Sequence, residues 1–449
     1  MNEIIDRINR IAAFLLALAA TCGCAQEPRP CREIKFSALP QGTMLYADHV
    51  NLSSNGEPFA KDDAYSLSCL KVEFVDAADG TSVQRNVPAL MKTFGGADVK
   101  SVADWENIRR PELLARFEKE VFGVRPKAAD ERHRVSFRTL WTRDALDGKS
   151  VKKLVAVDFD GPKGKFSFPF TAYLPKTQTP VPAFVHIALR KMPVEADGEV
   201  VPGDNWPVDD IVGRGFATAS FVVTNIAQDA FVGFSKGVFA AVEDEAERTP
   251  ESWATLSAWA WGASRVLDWM ATEPSIDEKR VAVVGHSRGG KTALWAGATD
   301  GRFAMACSNG SGCTGAKLNH MDIPKSESIK QVLRFRHWFC RNYDKYAGKE
   351  MEMDFDQHEL LALVAPRLMC IGSGSQDRWA GPPGEWASAR LASPAWELYG
   401  KKGLVATSMP ALGGSQQDGS VAYHLHDGPH NLGRFDWARY MDFMEKRMP

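Results

Sequence analysis

The stretch "VAVVGHSRGGKTALW", residues 281–295, decides the fold of this chain. Its first four residues, Val281–Val284, are apolar and mostly β-branched, which is typical of a short buried strand. A helical stretch follows from Lys291, and three glycines allow the sharp turn between the two elements. This turn places Ser287 in a G-x-S-x-G motif, which holds a serine hydroxyl exposed above a parallel sheet. The sequence therefore predicts a nucleophilic serine between a strand and a helix.

Strands and helices alternate on both sides of this motif. Buried strand-like runs such as "PAFVHIAL", "FAMACS" and "APRLMCIGSGS" are separated by helical segments such as "SWATLSAWAWGASRVLDWMAT". Residues 151–174 alternate apolar and polar side chains and break at Gly161-Pro162, which predicts an antiparallel hairpin. We therefore expect an α/β-hydrolase fold, a three-layer sandwich whose doubly wound, mostly parallel sheet lies between helices.

The N-terminus has the pattern of an export signal. Arginines precede an apolar run of about ten residues, Ile11–Ala20, which is too short to span a bilayer. Cleavage after Ala25 would release a secreted or periplasmic protein. Lipidation of Cys24 or Cys22 would instead produce an outer-membrane lipoprotein, held by a lipid anchor and without a membrane span.

We expect the chain to have three regions. They are a signal peptide at 1–25, a turn-rich N-terminal extension with a β-rich arm at 26–95, and a catalytic domain at 96–449. The 449 residues include 54 Lys and Arg against 56 Asp and Glu, so the charge balance gives no reason to expect a nucleic acid partner. We expect the protein to be a monomer.

The cysteines give no indication of a metal site. Export would permit disulfides, but the spacing does not determine which cysteines beyond the signal region are paired. These cysteines are Cys31, Cys69, Cys307, Cys313, Cys340 and Cys370. No C-x-x-C pair and no histidine spacing typical of zinc ligands is present. We therefore expect neither a metal nor another cofactor.

A serine nucleophile needs a histidine to take its proton and an acid to orient that histidine. In the α/β-hydrolase fold both partners follow the serine, in the order acid and then histidine, on loops at strand ends. Asp377 follows the strand-like run 368–372 and is the acid that this order favours. Glu385, eight residues later, is the local alternative.

Three histidines near the C-terminus are candidates for the base. His424 lies within the last predicted strand and His426 lies at its tip. His430 lies beyond a Gly-Pro turn, on the loop where the fold places the base. We therefore expect His430 to be the catalytic histidine.

Two basic residues follow the serine, one immediately after it and one a helical turn later. We expect the backbone N–H of Arg288 to bind the oxyanion of an attacked ester, and its guanidinium either to supply further donors or to pair with an anionic substrate. Lys291 lies one helical turn from Ser287 and is expected to face the same pocket. Positive charges at the start of a helix oppose its dipole, so this placement indicates a functional use of both side chains.

Several motifs together resemble the glucuronoyl esterases of carbohydrate esterase family 15. Residues 285–291, "GHSRGGK", match the family's elbow of glycine, cysteine or histidine, serine, arginine, any residue, glycine and lysine. Bacterial members share "WATLSAWAWGASRVLDW", "HWFC", "FDQHELLALVAPR", "WAGPPGE" and a late G-x-H motif, and all of these are present here. The resemblance extends from about Trp105 to the C-terminus.

The family cleaves esters between the glucuronic acid side groups of xylan and lignin alcohols. The resemblance implies that Ser287 is the nucleophile, His430 the base and Arg288 an oxyanion-stabilising residue. The positions that it implies for contacts with the sugar are Lys291, Glu327 and Trp379.

The chain departs from the family pattern at two places. Members usually carry their catalytic carboxylate about 23 residues after the serine, where this chain has Gly310. Some bacterial members hold an acid two positions before the tryptophan, which is Asp377 here. Fungal members also have a disulfide whose two positions are His286 and Asn431 in this chain, so both halves are absent.

We therefore expect a serine esterase that hydrolyses esters of glucuronic acid or 4-O-methyl-glucuronic acid, as in lignin–glucuronoxylan cross-links. A related esterase for carbohydrate acetyl or aryl esters is one alternative. A catalytically weak carbohydrate-binding homologue is another, since the usual family acid is missing at Gly310.

Overall fold

The computed structural model describes residues 87–449 except 190–192, 232 and 324, together with the backbone of three short strands nearer the N-terminus. The predicted signal peptide and most of the predicted extension lie outside the described residues. Within the described part, no helix combines the length and the apolar character that crossing a bilayer would require.

The strands are numbered in chain order. They are β1 (Arg32–Lys35), β2 (Leu45–Tyr46), β3 (Leu70–Glu73), β4 (Val135–Ala145), β5 (Ser150–Asp160), β6 (Lys165–Pro175), β7 (Val181–Ala188), β8 (Ala217–Val222), β9 (Ile276–His286), β10 (Met305–Asn309), β11 (Met321–Asp322), β12 (Leu368–Gly374), β13 (Ser415–Gln416) and β14 (Val421–His426).

The α-helices are numbered in the same way. They are α1 (Val102–Asp104), α2 (Arg110–Phe117), α3 (Val208–Gly213), α4 (Val238–Val242), α5 (Thr255–Met270), α6 (Arg288–Thr299), α7 (Ile329–Val332), α8 (Gln357–Ala362), α9 (Pro382–Ala392), α10 (Pro394–Glu397) and α11 (Arg434–Arg447).

Ten of the described strands form one sheet in the order β13-β14-β12-β10-β9-β7-β8-β6-β5-β4. From β8 through β7, β9, β10 and β12 to β14, each strand is parallel to its neighbours in that series. The predicted hairpin is the antiparallel pair β5 and β6. The sheet is therefore mostly parallel, and the nucleophile motif follows a central strand.

Apolar side chains cover both faces of this sheet. Val283 packs into a core with Trp259 of α5, whereas the next residue, Val284, packs into a second core with Trp437 of α11. Successive side chains of a strand point to opposite faces, so the two cores lie on opposite sides of the sheet. Helices cover each side, which confirms the predicted three-layer α/β-hydrolase fold.

The carboxyl ends of four parallel strands lie side by side. His286 at the end of β9 pairs with Asn309 at the end of β10. Asn309 also pairs with Gly372 of β12, and Gly374 pairs with His426 at the end of β14. The loops that follow these strands therefore meet at one edge of the sheet, where this fold class builds its sites.

The described chain before α1 packs against the same core. Val87 and Leu90 are both buried in it, and Arg109 Nε donates a hydrogen bond to the Leu90 carbonyl at 3.0 Å. Residues 87–95, assigned to the extension from sequence, thus contact the catalytic domain. Four cysteines of the described part are free and buried, namely Cys307, Cys313, Cys340 and Cys370.

Candidate active site

Ser287 occupies a sharp turn between β9 and α6. Its φ of 57° lies in the left-handed region that residues other than glycine rarely adopt. Its N–H donates a hydrogen bond of 2.8 Å to the Asn309 carbonyl, which anchors the turn to the neighbouring strand. A Cβ atom on Gly285 would lie 2.0 Å from the Gly289 carbonyl oxygen, so this close approach requires a glycine.

His430 and Asp377 form a hydrogen-bonded pair at this edge of the sheet. The distance from His430 Nδ1 to Asp377 Oδ2 is 2.5 Å. The Asp377 carboxylate is buried, and its other oxygen accepts the Ala380 N–H at 3.0 Å. The His430 side chain is 35% exposed, so a buried, anchored acid holds a ring that solvent and ligands can reach.

The two other candidate histidines have a different partner. His424 Nε2 and His426 Nδ1 lie 2.8 Å and 2.9 Å from the same oxygen, Asp436 Oδ1 on α11. Both rings are buried, and His426 Nε2 contacts the Pro429 carbonyl of the loop that carries His430. Neither ring is hydrogen-bonded to Asp377 among these described contacts.

Glu385, the alternative acid, contacts no histidine among its described hydrogen bonds. It is fully buried on α9 and accepts hydrogen bonds from the Ser373 hydroxyl at 2.6 Å and the Gly312 N–H at 2.9 Å. Burial raises the pKa of Glu385 to about 7 despite these two donors. Its contacts support the loop after β10 instead of orienting His430.

Gly310 lies directly beside the paired side chains. A Cβ atom built there would be 3.1 Å from Asp377 Oδ2 and 3.2 Å from His430 Nδ1. The residue has a φ of 49°, again in the left-handed region. A side chain at Gly310 would therefore be crowded by Asp377 and His430.

His286, the residue before Ser287 in the elbow, lies beside the His430 ring. The two ring centroids are 4.3 Å apart, and His286 Nδ1 lies 2.6 Å from Asn309 Oδ1. Burial, together with the neighbouring His430, lowers the pKa of His286 to about 4. A neutral His286 places no competing positive charge beside His430 at neutral pH.

Arg288 is the first residue of α6, and its charge is compensated. Its Nε lies 2.8 Å from Asp229 Oδ2, in an ion pair rather than an aligned hydrogen bond. Asp229 also accepts hydrogen bonds from His337 and Trp338. Burial raises the pKa of Asp229, but these donors and Arg288 outweigh it and lower the pKa to about 2. Asp229 therefore stays ionised and fixes the guanidinium.

Lys291 is also paired, and it is buried. Its ammonium donates to the carbonyls of Ser311 and Cys313 at 2.5 Å and 2.6 Å, and it lies 2.9 Å from Glu327 Oε2. An ammonium has three protons, so these three acceptors use its full donor capacity. The prediction that Lys291 faces the pocket stays a prediction; in the structure its ammonium fixes Glu327 and the loop after β10.

Glu327 and Trp379 are in direct contact. Trp379 Nε1 donates to Glu327 Oε1 at 3.0 Å, and the Glu327 N–H donates to the Trp379 carbonyl at 2.8 Å. Of the thirteen tryptophans, eleven are buried, and Trp379 and Trp141 are the two that are not. The exposed Arg334 guanidinium lies 5.1 Å from the centroid of the Trp379 ring. The structure thus joins all three predicted sugar-binding residues in one chain of contacts.

Sequence reasoning missed three polar residues of this site. Asp229 follows β8 on a loop at the same edge of the sheet and pairs with Arg288. Asn309 ends β10 and bonds His286, and Asp436 on α11 binds two histidines. Only Asp229 carried a usable signal, since an acid on a loop after a buried strand is a candidate in this fold.

Comparisons with known proteins agree with this geometry. A family model described as glucuronyl esterase, fungi, matches residues 155–400. Carbohydrate esterase MZ0003, from an unknown prokaryotic organism, is 32% identical over 384 residues, which cover 79% of this chain and 87% of that protein. The 4-O-methyl-glucuronoyl methylesterase of Podospora anserina is 28% identical over 335 residues, which cover 72% of this chain and 62% of that protein.

A solved structure is similar over most of the chain. The glucuronoyl esterase from Solibacter usitatus has a TM-score of 0.72 and 33% sequence identity, and the match covers 81% of this chain and 98% of that one. The similarity therefore extends over most of this chain and nearly all of that one.

Proposed function

Because this chain belongs to the glucuronoyl esterase family, carbohydrate esterase family 15, and is a carboxylic ester hydrolase, we propose that it cleaves glucuronic acid esters with a Ser287–His430–Asp377 triad. The observation that carries the triad is the 2.5 Å contact between His430 Nδ1 and Asp377 Oδ2 at the edge of the sheet that holds the elbow. The contact leaves the other ring nitrogen of His430 free to exchange protons with a serine hydroxyl.

The reaction follows in two steps. His430 Nε2 takes the proton of Ser287 Oγ as this oxygen attacks the ester carbonyl carbon, and the same proton then passes to the departing alcohol. The product of this step is a glucuronoyl ester of Ser287. A water molecule, deprotonated by His430, attacks that ester and releases glucuronic acid and the free serine. Asp377 fixes the ring tautomer and stabilises its positive form in both steps.

Arg288 stabilises the oxyanion in this proposal. Its backbone N–H is at the first position of α6, where no earlier carbonyl of the helix accepts a hydrogen bond from it. This N–H can therefore donate to an oxyanion formed beside Ser287. Its guanidinium is fixed by Asp229 through Nε, which leaves the terminal amino groups as the donors to the developing charge. Because Asp229 already holds the guanidinium in place, it does not have to reorient as the oxyanion forms. Stabilisation of an oxyanion depends on donors that are preorganised in this way.

Glu327 and Trp379 form the binding surface for the sugar. The half-buried Trp379 presents an aromatic ring, and its N–H is bonded to Glu327. Lys291 neutralises the Glu327 carboxylate, so the sugar meets a polar surface without a net negative charge. Lys291 therefore has a positioning role. It can bond a sugar hydroxyl only with a proton that it also shares with one of its three acceptors.

The family and its relatives indicate the substrate class. We propose that the acyl group is glucuronic acid or its 4-O-methyl ether, attached to glucuronoxylan, and that the leaving alcohol comes from lignin. The relative from Podospora anserina bears the name 4-O-methyl-glucuronoyl methylesterase, which supports the acyl group. The alternative of a carbohydrate-binding homologue depended on the missing acid at Gly310, and Asp377 now supplies a carboxylate at His430.

Turnover of benzyl glucuronate, compared with p-nitrophenyl acetate, tests this function. We expect the purified protein to prefer the glucuronoyl ester and Ser287→Ala to abolish its hydrolysis while leaving binding of glucuronate nearly intact. A protein that cleaves only the acetyl ester would favour the related-esterase alternative. Hydrolysis at the wild-type rate by Ser287→Ala would remove the elbow from the mechanism.

We also propose that the protein is exported. The support is the N-terminal pattern of arginines, a short apolar run Ile11–Ala20 and small residues around Ala25. Mass spectrometry of protein expressed with this N-terminus in a bacterial host tests the proposal. A chain that begins at Gln26 indicates secretion, a lipid on Cys24 or Cys22 indicates a lipoprotein, and an unprocessed N-terminus in the cytoplasm contradicts export.

A further inference from the structure

His426 lies beneath the loop that carries His430, and the reaction described above does not use it. It is the last residue of β14 and is 7% exposed. Its Nδ1 lies 2.9 Å from Asp436 Oδ1, and its Nε2 lies 3.1 Å from the carbonyl oxygen of Pro429. Pro429 directly precedes His430, so the ring contacts the backbone beside the catalytic histidine.

Both ring nitrogens of His426 face oxygens that can only accept hydrogen bonds. A carboxylate oxygen and a carbonyl oxygen have no proton to give, so each contact needs an N–H from the ring. A neutral imidazole has one N–H and can satisfy only one of the two oxygens. The geometry therefore selects the doubly protonated, positively charged ring of His426.

The surrounding charges favour this protonation state. Burial lowers the pKa of His426, but the hydrogen bond and the negative charge of Asp436 outweigh burial, and the negative charge of Asp377 acts in the same direction, so the pKa is raised. Asp436 itself has a pKa well below its usual range, because its bonds to His424 and His426 overcome the effect of burial. The neighbouring His286 is neutral at neutral pH and adds no repulsion.

The contact with Pro429 belongs to a set of bonds between the base loop and the acid loop. The Gln376 N–H donates to the Gly428 carbonyl at 2.9 Å, and the Gly428 N–H donates to the Ser375 hydroxyl at 3.2 Å. A Cβ atom on Gly374 would lie 2.8 Å from His426 Nε2 and 2.5 Å from the Pro429 oxygen, so the packing here is close. Movement of the Pro429 carbonyl would therefore displace the neighbouring His430.

We propose that His426 is a positioning residue: its charged ring, bonded to Asp436 and to the Pro429 carbonyl, holds the loop that places His430, and the enzyme loses this support at alkaline pH when the ring releases a proton. The inference rests on the proposed esterase function. Since the pKa of His426 is raised above its ordinary value, the ring keeps its proton to higher pH than a free imidazole does, and the support is lost as the pH rises through that pKa.

A pair of variants separates the two contacts of the ring. The side-chain amide of His426→Gln reaches the position of Nε2 and donates to Pro429 at every pH, whereas that of His426→Asn reaches the position of Nδ1 and bonds only Asp436. We measure kcat and KM for benzyl glucuronate from about pH 5 to about pH 10. We expect wild-type kcat to fall at alkaline pH and His426→Gln to lack this fall. We expect His426→Asn to have a kcat roughly tenfold below the wild-type value at neutral pH, no comparable alkaline fall and an unchanged KM.

The matched control is His424→Gln, which removes a buried histidine from the same Asp436 oxygen without touching the loop. We expect it to keep the alkaline fall of the wild type. An alkaline fall of wild-type size in His426→Gln, or no fall in the wild type, would overturn the inference. A wild type that cleaves no glucuronoyl ester would instead overturn the proposed function.

A second measurement covers the case in which the His426 variants do not fold. Ring-nitrogen chemical shifts of the ten histidines are followed by NMR in the labelled wild-type protein. One ring that carries protons on both nitrogens at neutral pH and loses one in parallel with kcat supports the proposal. If every ring is singly protonated at neutral pH, the proposal is wrong.

Discussion

A Cβ atom on Gly310 would lie 3.1 Å from Asp377 Oδ2, which is closer than ordinary contact, so a side chain at one position crowds the carboxylate at the other. The usual family acid would stand at Gly310, after β10, whereas the carboxylate that contacts His430 comes from the loop after β12. Both loops leave the same edge of the sheet from neighbouring strands. An acid on either loop can therefore reach the same histidine nitrogen.

Asp377→Asn is expected to lower kcat by several orders of magnitude. The amide cannot stabilise the positive ring and favours the wrong tautomer, and the equivalent change in a serine protease lowers kcat by about 10⁴. The measurement is kcat for benzyl glucuronate. Glu385→Gln is the matched control, because Glu385 bonds Ser373 and Gly312 instead of His430, and its kcat should change little. Retention of most activity by Asp377→Asn would leave a Ser287–His430 dyad as the mechanism.

Gly310→Glu should have opposite effects in two backgrounds. In the wild type the new side chain crowds Asp377 and His430, and a misplaced catalytic ring costs about 10²-fold in rate. In Asp377→Ala the same carboxylate has room beside His430 Nδ1 and should restore part of the lost kcat. Gly310→Ala, measured in both backgrounds, corrects for the backbone strain of about 1–2 kcal/mol at positive φ. Equal effects in the two backgrounds would show that the positions do not exchange roles.

Glu385→Gln should change how stability depends on pH. Because burial raises the pKa of Glu385 to about 7, the folded protein holds a proton there that the unfolded chain releases near pH 4.5. This contribution to stability is fully present below about pH 4.5 and is lost as the pH rises through about 7. The decrease in the free energy of unfolding over that window, measured by urea titration, should therefore be smaller in Glu385→Gln than in the wild type. Identical pH slopes for the two proteins would contradict the buried acid.

Lys291→Met should destabilise the protein and impair uronate recognition together. It leaves the buried Glu327 carboxylate without its cation, and breaking a buried ion pair typically costs about 3–5 kcal/mol. We expect KM for benzyl glucuronate to rise more than KM for p-nitrophenyl acetate, which has no sugar ring. Lys317→Met is the matched control, since this buried lysine donates to the Glu327 carbonyl and not to its carboxylate. Equal losses on both substrates would show that Lys291 only supports the structure of the elbow and does not contribute to recognition of the sugar.

Trp379→Phe tests the contact between Trp379 and Glu327. Phenylalanine keeps an aromatic ring but has no N–H for Glu327 Oε1, and the loss of a hydrogen bond to a charged group costs about 1.5–3 kcal/mol. We expect kcat/KM for benzyl glucuronate to fall about tenfold or more, with p-nitrophenyl acetate hydrolysis nearly unchanged. A uniform decrease on both esters would indicate that the indole N–H holds the Asp377 loop and does not order the sugar site.

The sequence by itself determined the alternation of strands and helices around the motif and the serine elbow. The run before Ser287 and the glycines after it predict a strand and a turn from local side-chain sterics alone, and β9 and α6 confirm both. Ser287, Asp377 and His430 each follow a different strand, and the order of these strands along the chain can be read directly from the sequence.

Only the tertiary structure decided which charged groups are partners. Arg288 pairs with Asp229, and His424 and His426 share Asp436, through contacts between elements that are distant along the chain. Local pattern gave both Asp377 and Glu385 as acids, because each follows the same strand. The packing of α9 buries Glu385 under the loop after β10, whereas the turn before α9 directs Asp377 to His430. Partner choice depends on distances between packed elements, and those distances exist only after the sheet has formed.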